Sequence, residues 1–134
     1  MNDFEEVKQS LARCMITGDV IGRFYDIFLE SHPDIKPRFA HTDFDSQKHL
    51  LRQSVNLAIM FANGNAVGKR GIERIRKSHS KVNFNIPPDL YPYWKKSFIQ
   101  AASELDLEFT DELKKQWDCV LQKTIDFVIE GYED

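Results

Sequence analysis

A chain of 134 residues has room for a buried core without disulfide or metal staples. Hydrophobic residues make up 42% and charged residues 29%, the mixture of a soluble globular protein, and a net charge of -3 argues against a nucleic-acid partner held by bulk electrostatics. No apolar run approaches the ~20 residues that cross a bilayer. The opening MNDFEEVKQS is acidic and polar, unlike a secretory leader. One soluble, cytoplasmic domain spanning residues 1–134, without a membrane or nucleic-acid partner, is therefore the expectation. Cys14 and Cys119 form no CxxC pair and read as small, buried or half-buried hydrophobes. The 10 Phe, 4 Tyr and 2 Trp supply flat apolar area suited to a core or to a planar ligand.

Helical spacing recurs along the chain and strand-like alternation is absent, so the class is all-α with six or seven helices. A first helix is expected from Asp3 to about Met15, before Thr17-Gly18. Asp19 then caps a segment whose Ile21, Phe24, Tyr25, Phe28 and Leu29 share a face, and Ser31-His32-Pro33-Asp34 stops it. A turn from Asp34 to Phe39 leads to Thr42 or Asp43, either of which suits the cap of a long helix to about Phe61. That helix carries one stripe at Phe44, Leu51, Val55, Ala58 and Ala62 and a second row at Leu50, Leu57 and Phe61. Asn63-Gly64-Asn65 ends it. A basic helix follows from about Gly68 to His79 or Ser80, then an aperiodic connection over 82–88. Asp89 is the expected cap of the next helix, with Pro92 in its first turn, where proline costs little. Thr110 caps the last helix, and Leu113, Trp117, Val120, Leu121, Thr124, Ile125 and Val128 form its stripe.

Among 4 histidines, His32, His41 and His49 have polar or loop surroundings and read as solvated or structural. His79 differs: it follows Ile75 by four residues and Ile72 by seven, so all three project from one helix face, opposite Lys69, Arg70, Arg74, Arg76 and Lys77. By itself this pattern suits an ordinary core histidine satisfied by a backbone carbonyl. There is no HExxH, Cys/His cluster, paired Glu-x-x-His, Gly-rich phosphate loop or GxSxG elbow. A lone imidazole still anchors a metal when a macrocycle supplies the other ligands, as in haem.

The segments Phe24–Phe39, Arg74–His79 and Pro88–Pro92, together with Trp117, resemble the bacterial single-domain globins over nearly the whole chain. The resemblance implies a globin fold around a haem pocket, with haem b as cofactor and His79 as the iron ligand. It also implies Tyr25 as the distal tyrosine, Phe39 as the corner phenylalanine against the haem face, and Ile75 packing beneath the ring. Tyr91 enters the set through the Pro88–Pro92 match. Counting back from His79 puts Gln47 at the distal polar position and Leu51 over the haem; the register slipped by one residue puts Ser46 and Leu50 there, with His49 near the rim. Two departures from the family pattern stand out: the connection from His79 to Tyr91 is about two residues longer, and Leu121 occupies the place of a last-helix tyrosine in a proximal Tyr–Glu–His chain. The implied function is reversible binding of O2, with NO and CO as further gas ligands. Nitric-oxide dioxygenation with an external reductase and gas sensing through a separate partner are the alternatives, and a basic-faced helical interaction module is the reading without haem.

Overall fold

The computed structural model describes residues 4–134, so the expected helix start at Asp3 lies outside the described residues. The described residues form six α-helices: α1 (Glu5–Thr17), α2 (Val20–Phe28), α3 (Phe44–Ala62), α4 (Ala66–Ser78), α5 (Tyr91–Leu105) and α6 (Asp111–Glu130). Short 3-10 turns occupy Lys36–Phe39 and Pro88–Leu90, and no strand occurs among the described residues. No helix among them is long and apolar enough to cross a membrane.

Local chemistry explains most of the boundaries. Side-chain oxygens of Asp19, Asp43, Asn65 and Thr110 accept the free backbone N–H groups that open α2, α3, α4 and α6. Asp43 rather than Thr42 therefore caps the long helix, and Asn65, expected only to end it, also starts the next. Asp89 does not cap α5. The preceding Pro87-Pro88 pair leads into the 3-10 turn, so α5 starts at Tyr91 with no side-chain cap, and Pro92 sits in its first turn.

The core forms where the apolar faces meet. Phe24, Val55, Ile72, Phe98, Trp117, Val120 and Leu121 are fully buried. The Phe98 ring lies 5.7 Å from that of Phe24 and 5.3 Å from that of Trp117, joining α2, α5 and α6 through aromatic contact. Cys14 is buried as expected, but Cys119 is exposed, because it points away from the α6 stripe that holds Trp117 and Val120.

Beneath this core a polar network ties α1 to α6. Ser10 accepts from Trp117 Nε1 at 2.9 Å and donates to Asp106 at 2.6 Å, and Arg13 bonds both Asp106 oxygens at 2.6 and 2.9 Å. Burial alone raises the Asp106 carboxyl, but the bonds from Arg13, Ser10 and the Glu108 amide outweigh it and hold the group below the usual carboxylate range. A carboxyl depressed on folding stabilises the protein above its unfolded pKa near ~3.9, and that contribution disappears as pH falls through the lower folded value. Asp106→Ala, which leaves Arg13 and Ser10 without their partner, is expected to cost about 3 kcal/mol in urea unfolding at pH 7. Repeating the titration at falling pH should show the difference from wild type shrinking in the acid range.

The crossing of α3 and α4 depends on Gly68. A Cβ there would stand 2.5 Å from the Phe61 nitrogen, inside any real contact and against backbone that has no freedom to swing away. Glycine is what allows the two helices to approach so closely.

Candidate functional site

Above the core the helices leave a cavity of about 600 Å³, within the ~300–1,000 Å³ typical of small-molecule sites. Its walls are largely apolar: Phe24 and Phe28 from α2, Leu51 from α3, Ile72 and Ile75 from α4, Trp94 from α5, and Ile125 and Val128 from α6. Tyr25, Phe39, Gln47, Leu51, Ile75, His79 and Tyr91, which the sequence singles out, all line this space.

His79 terminates α4, its amide bonded to the Ile75 carbonyl at 3.0 Å. Ser78 Oγ lies 2.9 Å from His79 Nδ1 and donates its single proton to the Ile75 carbonyl at 3.0 Å. With the Ser78 proton on that carbonyl, the hydroxyl accepts from Nδ1–H, the tautomer that leaves the lone pair on Nε2. Burial pushes the imidazole below the usual histidine range, only partly offset by the Ile75 carbonyl, so the ring is neutral at physiological pH. Nε2 has no hydrogen-bond partner among the described residues.

The Tyr25–Gln47 pair faces the same cavity from α2 and α3. Gln47 Nε2 donates to the Tyr25 hydroxyl oxygen at 3.1 Å, and the phenol's own proton has no acceptor among the described residues. Burial pushes the phenol up to about 12, against the hydrogen bond from Gln47, so it stays a donor throughout the physiological range. The rings of Phe39 and Phe44 pack edge-on against Tyr25 at 6.0 and 5.5 Å, fixing its direction. Of the two registers open from sequence, Gln47 and Leu51 both line the cavity; in the slipped one Ser46 is exposed and bonds Asp43, while Leu50, 54% exposed, also contributes to the lining. Tyr91 stands in the wall with its hydroxyl also raised, mainly by burial and further by nearby Tyr132.

The other histidines stay away from this cavity. His41 and His49 are exposed. His32, expected to be exposed, is half-buried: its ring meets that of Tyr93 at 4.8 Å and its Nδ1 accepts the Asp34 amide at 3.0 Å. On the basic helix, Lys69, Arg70, Arg74 and Lys77 are solvated, whereas Arg76 folds over the Phe127 ring at 4.7 Å and pairs with Glu130 and Asp134. Leu121 packs in the core, and Thr124 takes part in the cavity wall instead.

Sequence reasoning missed Ser78, Arg38, Phe84 and Ile86 as cavity residues. Ser78 precedes the histidine and so was readable as a partner for it. Phe84 and Ile86 lie in the aperiodic connection, where spacing carries no signal. Among the described residues no group of three or more His, Cys, Asp or Glu converges to hold a bare metal ion, so a metal at Nε2 needs its other ligands from elsewhere.

No protein-family model matches the chain, and no curated protein matches it significantly. A crystal structure from Pseudomonas aeruginosa, described as that of a protein structurally highly homologous to a human hemoglobin, superposes with a TM-score of 0.93. The two chains are 32% identical over 99% of this chain and 100% of that one. An all-helical fold enclosing an apolar cavity with a single inward imidazole defines a globin-type protein. This chain belongs to the globin family.

Proposed function

We propose that the chain holds one haem b in this cavity and binds O2 reversibly, with His79 as the iron's protein ligand and Tyr25 with Gln47 on the distal side. One observation carries the reading: an imidazole lone pair at His79 Nε2 and a phenol proton at Tyr25, both without protein partners, line one apolar cavity. The donor set suits haem, since a neutral imidazole fits iron and the surrounding wall suits a flat macrocycle. When bound, haem supplies a ferrous iron that takes a diatomic gas, O2 here and NO or CO as further ligands. Ser78 keeps the imidazole in the tautomer that presents its lone pair. Tyr25 offers a proton to a partly negative ligand, and Gln47 holds the phenol in place. Phe39, Leu51 and Ile75 exclude water from the faces of the site, and Tyr91 closes its edge.

Nitric-oxide dioxygenation with an external reductase is less supported. Behind Nδ1 stand a hydroxyl and a carbonyl, and a carboxylate there would make the imidazole a stronger electron donor.

Titration of the purified chain with hemin is expected to develop a Soret band that saturates at one equivalent. Ligand binding to the folded state alone should add about 4 kcal/mol of stability when free haem is a thousand times Kd, read as a rise in Tm. A chain that takes up no haem would sink the proposal.

A further inference from the structure

The connection from His79 to Tyr91 forms part of the cavity wall: Phe84 and Ile86 line the space, and Phe84 is nonetheless 66% exposed. Asn85 lies between them and stands outside the lining. Its backbone is left-handed, with φ 53, a conformation that Asn tolerates better than most residues. Both of its acceptor oxygens are engaged by distant segments. The carbonyl accepts from Nη1 of Arg38, itself a cavity-lining residue, at 3.1 Å, and the side-chain Oδ1 accepts from the Tyr132 hydroxyl at 2.6 Å. Tyr132 in turn is tied down by its own carbonyl, which accepts the Lys81 amide at 2.7 Å. Backbone bonds from the Phe84, Asn85 and Ile86 amides to the Ser78, Ser80 and His79 carbonyls hold this stretch of wall to the end of α4, and Asn85 fastens it further to the corner after α2 on one side and to Tyr132 after α6 on the other.

We propose that Asn85 is a positioning residue for the pocket, and that its bonds to Arg38 and Tyr132 latch the Phe84–Ile86 wall shut and set how long haem stays bound. The inference rests on the haem reading above. Opening the wall is needed for a rigid macrocycle to leave, and opening it by this route requires both bonds at Asn85 to break. A hydrogen bond of ordinary net strength lost from the closed form raises the opening rate by about two- to tenfold.

The decisive substitutions are those outside the lining. Tyr132→Phe removes only the donor to Oδ1, and Asn85→Gly keeps the left-handed backbone and the carbonyl while removing Oδ1. Asn85→Asp restores an acceptor in the same place. Each hemin-loaded protein is mixed with excess apomyoglobin as a haem scavenger, and hydrogen exchange at the Phe84 and Ile86 amides is followed in parallel. Haem loss is expected about two- to tenfold faster in Tyr132→Phe and Asn85→Gly, close to wild type in Asn85→Asp, and exchange at the two amides should rise with it. Wild-type rates of haem loss in both of the first two variants overturn the latch while leaving the haem reading intact. Failure of the wild-type chain to take up hemin overturns both.

Discussion

Replacing His79 with alanine is expected to abolish the normal ferrous and ferrous–CO spectra of the hemin-reconstituted protein, and added imidazole is expected to restore them. The side chain sits at the end of α4, beside Ser78 and the Ile75 carbonyl and edge-on to the Phe84 ring at 5.9 Å, so its removal takes away no contact between distant helices. The fold should survive, leaving a space the size of the missing ring. Free imidazole fits that space and brings the same lone pair. A histidine that merely packed the core would behave otherwise: its loss would lower Tm, the spectra would keep their shape, and imidazole would change nothing. An unaltered ferrous spectrum in His79→Ala would falsify the assignment of this residue as ligand.

Tyr25→Phe is expected to accelerate O2 release by roughly ten- to a hundred-fold. A hydrogen bond to a charged partner contributes about 1.5–3 kcal/mol, and each 1.4 kcal/mol is a factor of ten. The phenol is well prepared for this task. It is only 4% exposed, burial keeps it protonated, and Gln47 approaches its oxygen rather than taking its proton. The same substitution should change CO release far less, because CO carries little charge on its outer atom and charge is what strengthens the bond. Stopped-flow release of both gases from the two proteins makes the comparison. Equal O2 rates would remove Tyr25 from the distal role and leave it as a core tyrosine packed against Phe39 and Phe44.

Much of the architecture was readable because it follows helical periodicity. The α6 stripe from Leu113 to Val128 is buried at every position expected, and Thr110 caps the helix through its side chain. Those features depend on local spacing and local hydrogen bonds, which a sequence displays directly. The misreadings occur where tertiary context decides. Asp89 has the chemistry of a cap but follows two prolines that impose a different turn. Cys119 is a residue type that prefers burial, placed on the helix face that has nothing to pack against. At the candidate site, Ile72, Ile75 and His79 share a face by spacing alone, whereas Tyr25, Gln47 and Phe39 reach the same cavity from elements distant in sequence. Their convergence was suggested only by resemblance to a family. The wall formed by Phe84 and Ile86 was invisible because a connection held by irregular backbone bonds to residues 78–80 and by bonds to Arg38 and Tyr132 leaves no repeating pattern.

The missing side chain at position 68 also governs leverage. α3 and α4 follow one another across the 63–65 turn, with Gly68 against Phe61 close to that turn and Gln47 and His79 toward the far ends of the two helices. Those ends lie roughly 15–20 Å from the crossing at 1.5 Å of rise per residue. A methyl group inserted beside the turn would act as a wedge, and a few tenths of an ångström there would grow severalfold at the tips. The spacing between the two jaws that would grip a ligand is thus set at a point that touches neither.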